Sequence, residues 1–366
     1  MKITIFGLSI TSSWGNGHAT TFRALCQALH RRGHRIVFFE HNVEWYQNNR
    51  DLPEPAYCEV KIFESWEEVL PAVRAELRDS DVAMVGSYFP DGTAALEEVI
   101  SSNVQVKVFY DIDTPITVRN LREHGRAEYL VKSHLPELDV YFSFTGGPML
   151  KRLEEELGAF AVPLYCSVDP EKHRELPADP RFQCDLSYMG TYAPDRQPKI
   201  DELLCAPACR LPEKKFIVAG PQYPSHIEWS GNVERIMHLN PRHHAVLYSS
   251  SRITLNVTRR EMVLAGYSPS VRLFEAAACG AAIASDNWPG LETFFSPSRE
   301  ILLATGAEDI VRYVRDYDAA ELRRIGRSAQ ERVLAGHTSD VRAREFERAV
   351  EIAASSSHRT KALSTT

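Results

Sequence analysis

The sequence predicts an α/β protein built from two doubly wound, parallel-sheet domains, and three observations carry that expectation. Its 366 residues exceed the length at which one hydrophobic core usually stops growing. Short β-branched or apolar runs alternate with amphipathic stretches along most of the chain, the signature of βαβ units. A proline-rich, irregular stretch, 163–180, interrupts that alternation near the middle, as an interdomain linker would.

The elements follow in order. Residues 3–8 read as the first strand, running straight into a glycine loop, and 19–32 as the helix behind it, ended by Gly33. Strands at 35–40, 58–63, 82–86, 104–110 and 140–144 continue the series, with helical patterns at 66–77 and 93–100 between them. These make a first Rossmann-like domain, 1–165, followed by a linker, 166–183. Behind it, 184–189, 215–219, 245–247, 253–257 and 281–285 are expected strands of a second Rossmann-like domain, 184–335, with helices at 271–279 and 307–317. From 319 to 353 the chain is charged and helical in period. Its last part, 336–353, is expected to form a helix that packs back on the first domain, and the Ser/Thr-rich end, 354–366, to form a mobile tail. Two such domains place a ligand cleft between them, because open α/β sheets bind at the carboxyl ends of their strands.

Composition narrows the function. Hydrophobic residues make up 44% and charged residues 25%, so a packed core is expected. The formal net charge of −7, with acids and bases interleaved, lacks the basic stripe of a dedicated nucleic-acid binder, although a local basic groove stays open. The seven cysteines are scattered without a Cys-x-x-Cys pair, which points to neither a disulfide framework nor a zinc site. No run approaches the roughly 18 apolar residues of a membrane span, and the start lacks the apolar segment of a signal peptide, so a cytoplasmic protein without membrane insertion is expected.

The most informative segment runs from Gly266 to Asp286: a loop, a helix, a glycine stop and a strand. Ser268, Pro269, Ser270 and Val271 stand where the helix begins, so free amides and the positive end of its dipole would face an incoming anion. Arg272 adds charge-assisted bonds, and Glu275, a turn further on, suits the two hydroxyls of a ribose. The competing reading is an ordinary helix start whose Arg272 and Glu275 form an exposed i, i+3 pair.

Here the chain resembles the glycosyltransferase group 1 family, and within it the CgeB-like (spore maturation protein) branch. The resemblance rests on Arg272-Leu-Phe-Glu-Ala-Ala-Ala-Cys-Gly280, on the strand ending Ala284-Ser-Asp286 and on Gly290-Leu-Glu292. Ser187 to Arg196 and Phe216-Ile-Val-Ala-Gly220 extend it, so that it is strongest over 184–296. It implies the GT-B fold and transfer of a sugar from a nucleotide diphosphate donor, UDP-, GDP- or dTDP-linked, with retention and without a required metal or other cofactor. Glu275 would hold the donor ribose and the loop before it the diphosphate. Gly190, Thr191 and Arg196 match the family's Gly-x-x-x-x-x-Arg loop, and Gly220 follows the next strand. The wider family has a second glutamate where this chain has Tyr267, an absence shared by CgeB-like chains.

Remaining candidates come from the residues themselves. Arg259 and Arg260 follow a strand and suit a leaving diphosphate, or else are surface charges. Trp14, Gly15, Asn16 and Gly17 precede His18 in a glycine loop that departs from Gly-x-Gly-x-x-Gly and so argues against a dinucleotide cofactor. The resemblance to GT-B enzymes implies that the loop lines the acceptor side of the cleft; His18 either contacts sugar or acceptor, or simply bonds to backbone at the helix start. Asp111 and Asp113 close a strand. They admit three readings: a divalent-metal pair as in the GT-A class, a turn before Thr-Pro, and, preferred, a carboxylate that orients or deprotonates the acceptor hydroxyl. That acceptor is a small molecule, a saccharide, a protein or a modified DNA base. Two rivals remain, a nucleotide-sugar 2-epimerase on the same plan and a non-catalytic nucleotide-sugar-binding protein.

Overall fold

A computed structural model describes residues 1–364, with side chains through Ser355. The chain divides into two compact units, one formed by 1–165 together with the segment from Ser339 onward, the other by 166–338.

The first unit is built on a seven-stranded sheet, every pairing parallel, of β1 (Lys2–Phe6), β2 (Arg35–His41), β3 (Glu59–Phe63), β4 (Val82–Gly86), β5 (Val106–Asp111), β6 (Val140–Ser143) and β7 (Ala161–Pro163). Helices α1 (Gly17–Arg31), α2 (Trp66–Arg78), α3 (Gly92–Ser101), α4 (Thr114–His124) and α5 (Pro148–Leu157) connect the strands. The central strands are covered on both faces, which is why their sequences are unbroken apolar runs; all five residues of β4 are buried. The sheet order β3-β2-β1-β4-β5-β6-β7 reverses direction between β1 and β4. The loops that leave those two strands therefore diverge and open a crevice at their carboxyl ends.

The second unit repeats the plan with six parallel strands: β8 (Cys184–Met189), β9 (Phe216–Ala219), β10 (Val233–Ile236), β11 (Ser251–Asn256), β12 (Ala282–Ser285) and β13 (Leu302–Leu303). Its order, β10-β9-β8-β11-β12-β13, reverses between β8 and β11. Its helices include α6 (His244–Ser250), α7 (Val271–Ala278), α8 (Ala307–Asp316) and α9 (Ala319–Gly336). Tyr188, Leu186, Leu203, Phe216, Ile253, Leu255 and Ile310 are among the fully buried side chains of its core.

Several elements differ from expectation. Residues 245–247, expected as a strand, lie inside helix α6. A three-residue apolar run carries no period of its own. What decides it is the Asn240 carboxamide accepting from the Arg242 amide (3.0 Å), which starts a helical turn just upstream. Strand β10 escaped notice because an edge strand with one covered face tolerates Glu234 and Arg235 in its middle. The stretch 166–183, expected as a linker, lies within the second unit. The Leu176 and Asp179 amides there donate to Ser249 and Ser250 at the end of α6 (3.1 and 2.9 Å). The last helix, α10 (Ser339–Ser364), joins the first unit. Phe346 packs on Phe142, Arg342 donates to the Tyr165 carbonyl (3.0 Å), and Glu347 pairs with Arg32 and His34 (both 2.7 Å). Of the expected tail, 354–364 continues this helix, and 365–366 lie outside the described residues.

Candidate functional site

The carboxyl ends of β8 and β11, the switch point of the second sheet, gather most of the charge foreseen there. Past β8 the chain turns through Gly190, where a Cβ would lie 2.7 Å from the Tyr188 hydroxyl and 2.8 Å from Arg272 Nη2. Any larger residue would push that guanidinium or the phenol aside. Arg272, from the first turn of α7, donates to the Met189 carbonyl (2.5 Å) and to Asn256 Oδ1 (2.9 Å), and its Cζ lies 4.9 Å from the centre of the Tyr188 ring. Arg196 reaches the same ground from the loop after β8, donating to the Thr191 carbonyl (2.7 Å), while its Nε is buried with no hydrogen-bond partner. Burial pulls the Arg196 guanidinium below its ordinary pKa, and the charges of Arg272 and Arg259 act in the same direction. Arg259 stands 3.7 Å from the Asp195 carboxylate, whereas Arg196 and Arg272 pair with no carboxylate among the described residues. A buried cationic donor without a partner, among like charges, is costly unless an anion fills the place.

The remaining anion-binding part is the start of α7. Ser270 occupies the N-cap position without capping the helix through its side chain, since its hydroxyl donates to Asn256 Oδ1 (2.7 Å). The first-turn amides of Val271 and Arg272 thus meet no capping side chain. Ser268 was expected on the diphosphate, but it is buried with its hydroxyl on the Met262 sulfur (3.3 Å), and the Pro269 carbonyl accepts from Cys166 Sγ (3.3 Å). Those two residues shape the loop. Tyr267, at φ 49°, packs across Gly290, a strained conformation for a non-glycine residue. Gly220 touches Gly190 so closely that a Cβ there would lie 2.0 Å from the Gly190 carbonyl oxygen.

Glu275 is 7% exposed and makes no ion pair with Arg272, which removes the reading of the two as an exposed helical pair. Its carboxylate has only long contacts: the Tyr248 hydroxyl at 3.4 Å and His173 Nε2 at 3.5 Å. His244, the first residue of α6, completes a cluster with His173 and Glu275 in which one ligand-type atom from each lies within 4.8 Å of the others. Neither histidine was anticipated. They are distant in sequence and stand in no metal-ligand spacing, so only the fold brings them together.

In the first unit the loop after β1 is anchored from below. The fully buried Glu40 carboxylate accepts from the Ile10 and Thr11 amides (2.7 and 3.0 Å) and from the Ser9 and Thr11 hydroxyls (3.0 and 2.5 Å). Arg23 ties Asp51 to the same loop through two bonds (2.8 and 2.9 Å). Both anchors were missed, because an isolated acid, at a strand end for Glu40 and in a loop for Asp51, carries no sequence signal. Of the glycine loop, Asn16 is a structural cap, its Oδ1 accepting from the His18 and Ala19 amides (3.0 and 3.3 Å), while Gly15 and Gly17 are exposed and Trp14 half-buried. The His18 ring meets Tyr88 edge-on, with 5.3 Å between centroids, and its Nδ1 is buried without a hydrogen-bond partner. Burial draws its pKa down to about 4, so the ring is neutral at pH 7.

Asp111 and Asp113 part company. Asp111 is fully buried; its carboxyl accepts from the Tyr141 hydroxyl, the Thr117 hydroxyl (2.9 Å) and the Asp113 amide (3.1 Å), and burial pushes its pKa up to about 7. It is a structural group, which corrects its expected role on the acceptor. The strand ends at Asp111, so the i, i+2 register that would put both acids on one face stops short of Asp113, which stands half-buried at the start of α4.

The fold recurs in known proteins. Residues 196–348 match the family described as glycosyl transferase-like. No curated protein matches the chain. Among solved structures, sucrose-phosphate synthase from Thermosynechococcus elongatus is similar at 15% identity and a TM-score of 0.69, covering 95% of this chain and 98% of that one. Anabaena HepE in complex with UDP-glucose is similar at 11% identity and a TM-score of 0.69, over 96% and 99% of the two chains. An α-glucosyltransferase in complex with UDP-glucose and DNA containing an abasic site shows 13% identity and a TM-score of 0.68 over the same shares. Among the described residues no helix is long and apolar enough to cross a membrane. The chain has the two-unit GT-B fold of these transferases, and its residues 196–348 carry a glycosyl transferase-like region.

Proposed function

We propose that this protein is a glycosyltransferase that moves a hexosyl or related sugar from a nucleotide diphosphate to an acceptor hydroxyl. The observation that carries the reading is the buried, unpartnered Arg196 Nε beside Arg272 at the uncapped start of α7, with the sparsely bonded Glu275 on the same helix. Two guanidiniums and the helix amides suit a diphosphate, and a carboxylate one turn along suits a ribose. When the glycosidic bond to phosphate breaks, negative charge accumulates on the departing nucleoside diphosphate. Fixed cations at that place then stabilise the transition state more than the ground state.

UDP is the first nucleotide to test, since HepE and the α-glucosyltransferase are complexed with UDP or UDP-glucose. The chemistry asks for no metal on the diphosphate, because Arg196, Arg272 and the helix start supply the positive charge; retention and the CgeB-like branch rest on the family resemblance. In the first unit, neutral His18 and half-buried Asp113 are proposed to orient the acceptor hydroxyl. Acceptors to screen are small molecules, saccharides, proteins and DNA with modified bases, the last prompted by the DNA in the α-glucosyltransferase complex.

The test is a thermal-shift panel of UDP, GDP, dTDP, ADP and CMP with and without EDTA, because a ligand that binds the native state raises its unfolding temperature. A shift with one diphosphate that survives EDTA supports the reading. No shift with any of them overturns it.

A further inference from the structure

The cluster of His173, His244 and Glu275 is built like a metal centre. A tetrahedral zinc ion with bonds of about 2.1 Å spaces its ligand atoms about 3.4 Å apart. His173 Nε2 and Glu275 Oε1 are 3.5 Å apart, and one atom from His244 completes the set within 4.8 Å. His244 Nε2 lies 3.3 Å from the Leu239 carbonyl, so that nitrogen carries the proton as donor and Nδ1 keeps a free lone pair. A histidine that donates its far N–H to a backbone carbonyl is the usual arrangement behind a metal ligand. The Tyr248 hydroxyl supports the other carboxylate oxygen at 3.4 Å. No lysine or arginine pairs with Glu275 among the described residues, although the carboxylate is 7% exposed. Two imidazoles and one carboxylate suit zinc and its neighbours better than magnesium or calcium, which prefer all-oxygen sets.

We propose that His173, His244 and Glu275 form a binding site for a zinc-class divalent transition-metal ion. Metal occupancy takes the Glu275 carboxylate away from the donor ribose, so the ion and the nucleotide compete. That second statement rests on the donor reading above; the site itself does not.

The experiment titrates the metal-free full-length protein with Co²⁺, followed by visible absorption, and with Zn²⁺ by calorimetry. One ion per chain is expected, with d–d bands of a nitrogen and oxygen site and no thiolate charge-transfer band. His173→Gln and His244→Gln should each weaken binding at least tenfold while leaving circular dichroism and the metal-free unfolding temperature unchanged. His173→Cys is the gain-of-signal control, expected to restore affinity and bring in a thiolate band. No Co²⁺ binding by the wild type, thiolate bands in the wild type, or equal affinity in folded histidine variants would each overturn the site. Zn²⁺ should also abolish the UDP-induced thermal shift in the wild type and leave it in His244→Gln. Zinc that binds without affecting UDP would uphold the site and overturn the competition.

Discussion

Replacing Glu275 by glutamine isolates the group on which the donor reading depends. The side chain is nearly isosteric, so the helix and the packing around it stay intact, and its present contacts are weak ones, a hydroxyl at 3.4 Å and an imidazole at 3.5 Å. Folding therefore draws little from its charge. A bound ribose would instead offer two hydroxyl donors to the carboxylate, and a hydrogen bond to a charged acceptor contributes about 1.5–3 kcal/mol. Glutamine keeps one acceptor oxygen, loses the charge and turns a donor toward the second hydroxyl. The expected loss is about 1.5–3 kcal/mol, a nucleotide affinity roughly 10- to 150-fold weaker. The assay is calorimetry with the diphosphate identified by the thermal-shift panel, run with EDTA so that no metal competes for the carboxylate. The metal-free unfolding temperature should not fall. A folded variant that binds as tightly as the wild type would refute the ribose assignment.

Two further outcomes are expected from the surrounding structure. Asp111 holds its proton more tightly folded than unfolded, because burial lifts its pKa to about 7 from the ordinary value near 4. Its contribution to stability is therefore fully present below about pH 4 and lost as pH rises from there through 7, by about 4 kcal/mol. Asp111→Asn should remove that dependence: urea unfolding at pH 5 and pH 8 should show the variant gaining on the wild type at the higher pH, and parallel curves would refute the assignment. Gly220→Ala would drive a methyl group to 2.0 Å from the Gly190 backbone oxygen, which cannot rotate away. A loss of about 2–4 kcal/mol in urea unfolding is expected, and a neutral substitution would show that the two loops do not meet.

The alternation of apolar runs and amphipathic stretches was enough to read the central strands of both parallel sheets, because strands covered on two faces must be apolar throughout and their order in the chain limits the topology. Local signals also placed helix α7 with its Arg272 and Glu275, since a loop, a helix start and a glycine stop are properties of adjacent residues. Sequence pattern failed where periodicity is short or one-sided, at 245–247 and at the edge strands β7, β10 and β13. It was silent wherever chemistry depends on residues far apart in the chain. Only the tertiary structure could bury Asp111 while leaving Asp113 half-buried, set Glu40 beneath the first loop, strip Arg196 Nε of partners, and bring His173 and His244 to Glu275. The physical reason is the same in each case. Burial, pairing and the direction of a pKa shift come from the whole set of atoms around a group, and most of those atoms belong to other segments.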